Sequence, residues 1–376
     1  MTAPGNGNGA HTTDGARITV VYPLWRAAGT VDALVQAVAR QRPPEGADPA
    51  TWMEALFIDD ASPDGTTERL REALAATEVP FPVRVLENEH NLGLARNLNR
   101  ALATVDTDYV LTCHVDCRFG DDDYVARAVR LLDAHPDVGA IAGQSTADPE
   151  AGLSRAEKVY MAANLMDVFP PDDEDLLPVG FAEGRCDAFR MAGLEAAGFY
   201  DTTLRTAGED QILASRLRAA GYRVCQAPQL RYHLSVSSSQ DSLRKLVRHA
   251  RLFGRMHPYL LFVNRGTMAG AAGGVAGGNR TRRSVLRGLQ LAGGGAWAWL
   301  AGALLLRRSR IAAATAVLGI QAGKALLFRR YVRELRFDRG DRVALTAIQP
   351  ALDASYAAGF IKGLAMLTRR DGRTIA

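Results

Sequence analysis

Cysteine is scarce in this sequence, with four among 376 residues and no two in a C-x-x-C pair. This spacing disfavours a structural zinc site. Cys113 and Cys225 lie in apolar runs typical of strands, so we expect reduced, packed thiols in a cytoplasmic protein. The start of the chain also lacks the basic residues and apolar core of a secretory signal. Residues 1–16 contain almost no apolar side chains and are predicted to be disordered.

Acidic residues become scarce towards the C-terminus. Residues 280–376 include 18 basic and 5 acidic residues, which gives a net charge of +13. The preceding 279 residues include 27 basic and 36 acidic residues, which gives a net charge of −9. This asymmetry predicts two bodies with different partners. The basic part also contains long apolar runs and two tryptophans, so we expect it to bind a membrane surface with anionic lipid and not nucleic acid.

Two apolar runs lie in the basic part, over 288–306 and 311–328. As a helix, the first run of 19 residues would nearly span a hydrocarbon core of about 30 Å. Both runs are rich in Ala and Gly, so an interfacial helix or a hairpin buried against protein is the alternative. If both runs spanned, the arginines at 307–310 would lie outside, against the positive-inside rule. The sequence therefore predicts membrane association without fixing the number of spans.

Strands and helices alternate in the first part of the chain. Strand-like runs at 17–23, 56–58, 83–86 and 109–113 are separated by helical patterns at 30–41, 67–76 and 92–103. This pattern predicts an α/β fold with a mostly parallel sheet and helices on both faces. We expect an α/β domain over 17–262, a flexible basic linker over 263–283 and a helical, membrane-associated region over 284–376.

The fourth strand ends in polar residues. His114 and Asp116 follow the apolar run and are two positions apart, so a continuing strand would point both side chains the same way. Ligands of open α/β sheets bind at the carboxyl ends of the strands, and a carboxylate there suits a hard divalent cation. The alternative is that Asp116 only caps the following turn.

Four motifs carry a resemblance to a known family. The first strand ends in Tyr22-Pro23, and Phe57–Thr66 reads F-I-D-D-A-S-P-D-G-T. Asn91–Asn97 reads N-L-G-L-A-R-N, and Gly208-Glu209-Asp210 is followed by R-L-R-A-A-G-Y at 216–222. In this order, over residues 18 to about 233, they resemble the family 2 glycosyltransferases, whose loop corresponding to 91–97 is one or two residues longer. The C-terminal part is outside this resemblance.

The resemblance implies a GT-A fold and an inverting, metal-dependent hexosyltransferase. It would move a sugar from a nucleotide sugar, by default a UDP-sugar, to a hydroxyl acceptor. With the basic C-terminal part, this favours a lipid-linked or envelope-glycan acceptor at the cytoplasmic face of the cell membrane. The resemblance makes Asp210 the general base and Glu209 the residue that orients the acceptor. It implies nucleotide-sugar contacts from Pro23, Asp60, Arg96, His114 and Val115, and a Mn²⁺ or Mg²⁺ ion on Asp116 and His233.

One position departs from the family pattern. The family has D-x-D where this chain has His114-Val115-Asp116. An imidazole ligates Mn²⁺ but is a poor partner for Mg²⁺, so His114 either binds the ion or hydrogen-bonds the donor. For His233 the alternative is a packed or surface histidine.

Two other functions compete with glycosyl transfer. A sugar-nucleotide-forming nucleotidyltransferase would need a Gly-rich phosphate loop early in the chain, and residues 27–30, Ala-Ala-Gly-Thr, are a poor match. A binding protein that keeps the fold without turnover is favoured only by His114, and the intact Asp116, Glu209 and Asp210 argue against it.

Overall fold

The computed structural model describes residues 16–147, 152–166, 168–169, 176–203, 208–235, 242–262, 278–307 and 309–368. In the range 278–307, side chains are described from residue 282 onwards. The predicted disordered tail lies outside the described residues except for its last residue. Residues 263–277 of the predicted linker also lie outside them. The remainder of that linker, from Gly278, is helical and begins a long helix.

Among the described residues, nine strands form one sheet. They are Ile18–Leu24 (β1), Met53–Asp59 (β2), Val83–Glu87 (β3), Tyr109–Cys113 (β4), Cys117–Phe119 (β5), Val138–Ala147 (β6), Leu177–Pro178 (β7), Cys186–Arg190 (β8) and Arg223–Leu234 (β9). Their order is β3-β2-β1-β4-β8-β6-β9-β5, and β7 pairs with β9. The first four strands in this order are parallel, as predicted, and β8 is antiparallel to both of its neighbours.

Helices cover both faces of the sheet. They are Val31–Ala39 (α1), Pro49–Trp52 (α2), Thr66–Ala76 (α3), Leu94–Leu102 (α4), Tyr124–Ala134 (α5), Arg155–Asn164 (α6), Met191–Ala197 (α7), Glu209–Ala219 (α8), Leu243–Phe262 (α9), Gly278–Leu305 (α10), Arg310–Glu334 (α11), Arg339–Ala347 (α12) and Gln349–Thr368 (α13). Val20 belongs to a core cluster with side chains from α1, α3 and α5. Its neighbour Val21 belongs to a second cluster with side chains from α4, α7 and α8. Because successive strand residues face opposite sides, this division confirms a sheet buried on both faces.

The helical region packs on the α/β domain through α9. This helix begins at Leu243 and continues through Pro258 to Phe262. Proline removes one hydrogen bond of the helix, and packing against α13 compensates for this loss. The two helices approach closely at Gly254, where a Cβ atom would lie 2.2 Å from the carbonyl oxygen of Tyr356. A second contact joins α6 to α12, where Lys158 donates to the buried carboxylate of Asp341 at 2.9 Å.

Apolar side chains remain exposed where α10 and α11 meet. Leu305 and Ile311 are 84% and 85% exposed. Among the described residues, one helix is long and apolar enough to cross a membrane, α11, and only 22% of its most apolar window is buried. The first predicted run lies on α10, which is not apolar enough to meet the same criterion.

A buried ion pair joins α11 to α13. The ammonium group of Lys324 contacts the carboxylate of Asp353, and the two side chains are 1% and 0% exposed. Gln321 also donates to Asp353, at 3.2 Å. Removing one member would leave the other charge buried without its partner, which costs far more than an exposed ion pair contributes.

We expect Lys324→Met to lower the free energy of unfolding by about 3–5 kcal/mol, because it leaves Asp353 unpaired. The measurement is the thermal unfolding midpoint of the full-length protein, with the exposed Lys362→Met on the neighbouring helix as control. Adding Asp353→Leu should recover most of the loss. Equal midpoints for Lys324→Met and Lys362→Met would contradict this account.

Candidate active site

The candidate metal-binding residues lie in a tight turn after β4. The strand ends at Cys113, and the amide of Cys117 donates to the carbonyl of His114 at 3.0 Å, which closes the turn. The strand therefore does not continue through His114 and Asp116, and the alternation that would point both side chains the same way does not apply to them. Burial disfavours the protonated form of His114, and the nearby Asp116 carboxylate opposes this effect only in part.

Asp116 begins a row of alternating charges that reaches the helical region. Its carboxylate accepts from Arg185 at 3.3 Å, and both side chains are largely buried. Arg185 lies 3.9 Å from Glu183, and Glu183 accepts from Arg283 at 2.7 Å. Arg283 lies on α10, so an electrostatic path connects the turn after β4 with the helical region. A cation on Asp116 would compete with Arg185 for the same carboxylate.

The turn that carries Arg185 is held by a buried carboxylate. Asp187 accepts from the amides of Gly184 at 2.6 Å and of Arg185 at 3.1 Å. Burial raises the pKa of Asp187 to about 7, although these amides act in the opposite direction. Gly184 has a positive φ of 69°, and a Cβ atom there would lie 3.7 Å from the Cβ of Asp210. The same turn therefore positions Arg185 beside Asp116 and passes next to the candidate base.

His114 is a neutral side chain with an available ring nitrogen. Its pKa is lowered to about 4, chiefly by burial, with Asp116 acting in the opposite direction and Arg185 in the same direction as burial. Among the described residues, no partner lies within hydrogen-bond distance of its buried Nε2 atom. A neutral imidazole with an unsatisfied nitrogen fits either a cation or a hydrogen bond to the donor.

His233 lies on β9, in register with Arg118 of β5. Its Nδ1 atom is 3.1 Å from the hydroxyl of Thr146. The end of β9 adjoins the turn after β4, since the amide of Ser235 donates to the carbonyl of Asp116 at 2.8 Å. In the part of the chain that the structure describes, however, no three His, Cys, Asp or Glu side chains are close enough together to hold a metal ion. Any ion would therefore need ligands from the donor or from water.

Glu209 and Asp210 form the first turn of α8. Burial raises the pKa of both carboxyl groups, and the neighbouring Glu209 raises that of Asp210 further. Asp210 accepts from the amide of Gln211 at 2.8 Å, which has the opposite effect. Two coupled, buried carboxyl groups retain a proton at a pH where free carboxylic acids are ionised, and the ionised partner is a stronger base than usual.

Both carboxyl groups line a cavity of about 490 Å³ between the α/β domain and the helical region. Glu183, Arg185 and Arg283 contribute charge to its wall. Its lining also includes aromatic and aliphatic side chains of α9, α10 and α13, among them Phe253, Leu260, Leu291 and Phe360. The cavity therefore combines charged side chains with aromatic and aliphatic ones, which is suited to an amphiphilic molecule.

The residues predicted to contact the nucleotide lie elsewhere and do not line this cavity. Pro23 is buried in β1, and Val115 lies in the turn after β4. The carboxylate of Asp60 accepts from the amides of Leu92 and Gly93 and from Asn88, so both of its oxygens are engaged in shaping the loop before α4. Arg96 is exposed on the first turn of α4. Strand β1 lies between β2 and β4 in the parallel part of the sheet. The carboxyl ends of these three strands are therefore adjacent, and a nucleotide would lie there.

Sequence patterns did not single out Glu183, Arg185, Asp187, Arg283 or Arg287. Arg185 precedes the short strand β8, whose antiparallel register on β4 brings it to Asp116. The two arginines of α10 resemble other basic residues flanking an apolar run. No local spacing reports such pairings, because they depend on the order of strands in the sheet and on how α10 docks.

The ion preference of the site is expected to depend on His114. If its imidazole is a ligand, the wild type should prefer Mn²⁺ to Mg²⁺, and His114→Asp should shift the preference towards Mg²⁺ by about tenfold or more, because a carboxylate suits the harder ion. The measurement is transfer rate against the concentration of each ion. His114→Asn is the control, since it adds no charge. If the ion preference of His114→Asp is unchanged, His114 does not ligate the ion, and a hydrogen bond to the donor is the role that remains for it.

Comparisons with known proteins agree with a glycosyltransferase fold for the α/β domain. The family model described as glycosyl transferase family 2 matches residues 19–196. The match lies within the α/β domain and covers just under half of the chain, and the helical region lies outside the matched residues. A comparison with curated protein sequences gave no match.

Solved structures resemble this chain at low sequence identity. A mannosyltransferase from Pyrobaculum calidifontis, solved with GDP-Man and Mn²⁺, is 21% identical over 93% of this chain and 87% of that one, with a TM-score of 0.54. TarS from S. aureus, solved with UDP-GlcNAc, is 17% identical over 63% and 65%, with a TM-score of 0.43. GalNAc-T7, solved with UDP, GalNAc and Mn²⁺, is 16% identical over 64% and 48%, with a TM-score of 0.46. The first of these shows a shared fold that extends into the helical region.

Proposed function

We propose that the chain is an inverting glycosyltransferase that uses a nucleotide sugar and a divalent cation and glycosylates a hydroxyl acceptor at a membrane. The observation that carries the proposal is the placement of Glu209 and Asp210. They form a buried acidic pair on the wall of a large cavity, next to the turn that pairs Arg185 with Asp116. A nucleotide over the strand ends and an acceptor in the cavity would meet at this boundary.

The proposed reaction needs one base. The acceptor oxygen forms a bond to the anomeric carbon, the bond from that carbon to the diphosphate oxygen breaks, and the acceptor proton goes to Asp210. Glu209 orients the acceptor. The raised pKa of the pair makes the ionised carboxylate a stronger proton acceptor. Attack from the face opposite the leaving diphosphate inverts the anomeric configuration.

Asp116 fits a divalent cation, and His114 offers a second donor atom. His233 adjoins the same turn as a third candidate ligand. A bound cation would supply charge stabilisation to the leaving diphosphate. Pro23, Asp60, Arg96 and Val115 remain proposed nucleotide-sugar contacts, in which Asp60 acts through the loop that it holds.

The helical region supports membrane attachment, and the cytoplasmic face stays a prediction from the sequence. α11 is apolar and mostly exposed, and the tip between α10 and α11 presents Leu305 and Ile311 to the surroundings. Arginines near these apolar side chains would favour anionic lipid. A lipid-linked or envelope-glycan acceptor would then be within reach of the cavity.

The proposal is tested with a donor panel on the full-length protein in detergent. UDP-sugars are the default, and GDP-sugars are included because the Pyrobaculum mannosyltransferase was solved with GDP-Man and Mn²⁺. Labelled sugar recovered in a lipid or glycan product with Mn²⁺ or Mg²⁺ supports the proposal. Donor binding without turnover for every donor and membrane extract would instead favour a binding protein that has the same fold.

A further inference from the structure

Arg287 differs from the two other arginines that line the cavity. Arg185 is paired with Asp116, and Arg283 with Glu183. Arg287 donates to neutral partners, Gln290 at 2.8 Å and Asn164 at 3.3 Å. Among the described residues, no carboxylate lies within 4 Å of its guanidinium.

Aromatic rings flank the same guanidinium. Its central carbon lies 5.2 Å from the ring centre of Phe253 and 5.7 Å from that of Tyr356. Burial lowers the pKa of Arg287, but an arginine side chain remains protonated in proteins. The cavity therefore holds a desolvated positive charge that neutral partners only partly compensate, and this favours an anionic ligand.

The surroundings of Arg287 also fit an apolar chain. Leu260, Leu261, Leu291 and Phe360 line the cavity. From Leu291, α10 continues for about 12 Å to Trp299, at 1.5 Å per residue, and Trp299 is half exposed. Beyond it lie the exposed apolar side chains at the end of α10. A chain bound at Leu291 could therefore follow one helix from the cavity to the apolar surface.

We propose that the acceptor hydroxyl is carried by a phosphorylated lipid, with its phosphate bound at Arg287 and its apolar chain against α9, α10 and α13. This inference rests on the proposed function and specifies its acceptor. A guanidinium offers paired donors that match phosphate oxygens, which favours phosphate as the anion. A free phosphate would leave the apolar wall unused, and a neutral lipid would leave the Arg287 charge without a partner.

The test measures binding by calorimetry to full-length protein held in amphipol, without donor. The probes are decyl phosphate, octyl phosphate, decanol and inorganic phosphate. Decyl phosphate should bind at least tenfold more tightly than decanol or inorganic phosphate. Octyl phosphate should bind more weakly, by about fourfold for each CH₂ group lost from the apolar wall.

Variants separate the charge from the apolar wall. Arg287→Gln should lose the preference for decyl phosphate over decanol while keeping its affinity for decanol. Arg287→Lys should keep part of that preference. Arg282→Gln, an exposed arginine on the same helix, is the matched control and should behave as the wild type.

Each alternative gives a different result. Unchanged decyl phosphate binding in Arg287→Gln overturns the inference, as does equal binding of inorganic phosphate or of decanol. Because the assay has no donor, its outcome is independent of sugar transfer. If the protein transfers sugar to a neutral acceptor and does not bind decyl phosphate, the inference of a phosphorylated lipid is refuted and the proposed glycosyl transfer still holds. Binding without transfer for any donor would instead refute the proposed function.

Discussion

Asp210→Asn should abolish transfer while donor binding stays nearly unchanged. The amide keeps the shape of the side chain but cannot accept the proton of the acceptor hydroxyl. The loss should therefore fall on kcat, by roughly 10²-fold or more, with little change in donor affinity. The measurement is the initial transfer rate at saturating donor, together with donor binding by calorimetry.

The pH dependence gives a second readout of the same residue. Because burial and Glu209 raise the pKa of Asp210, the base is protonated and inactive at low pH. The wild-type rate should rise with pH through a limb above the ordinary range of aspartate, and Asp210→Asn should lack that limb. Glu195→Gln makes a comparable change at an exposed position on α7 and serves as control. Near-normal turnover in Asp210→Asn would remove Asp210 from the reaction.

Asp116→Ala is expected to produce a loss of about 10³-fold in transfer, because charge stabilisation of the leaving diphosphate is worth several kcal/mol. The variant removes the only carboxylate in the turn after β4 and leaves Arg185 without its partner. The measurement is transfer rate against Mn²⁺ concentration, with binding of the nucleoside diphosphate measured in the presence and absence of the ion.

In the wild type, the ion should strengthen nucleotide binding, and in Asp116→Ala this effect should disappear. Asp122→Ala is the control, since this half-exposed carboxylate lies 3.6 Å from the surface arginines Arg40 and Arg42. An ion titration that is the same in Asp116→Ala and the wild type would contradict a metal role for Asp116.

The sheet and its helices could be predicted because their signals are local. Alternation of buried runs with helical patterns is present in the sequence, and the boundaries agree within a few residues. The end of β4 was less accessible. The same apolar run could precede either a strand that continues to Asp116 or a turn that begins at His114. The hydrogen bond from the amide of Cys117 to the carbonyl of His114 shows that the chain forms the turn.

The candidate site was only partly accessible from sequence. The motifs indicated Glu209, Asp210 and Asp116 because each stands in a recognisable local pattern. Arg185 and Glu183 depend on pairing between distant strands, and Arg287 depends on α10 lying across the cavity. The burial of Lys324 was also hidden, because a lysine in an apolar run gives no sign of Asp353, 29 positions later.

The most direct test of glycosyl transfer is to identify the leaving group of the donor. The full-length protein is incubated with the donor that the panel selects, and the released nucleotide and the sugar product are quantified in the same reaction. Cleavage at the anomeric carbon predicts nucleoside diphosphate and glycoside in equal amounts, both lost in Asp210→Asn. Release of nucleoside monophosphate with sugar phosphate would mean that the diphosphate bond is cleaved, and would contradict glycosyl transfer.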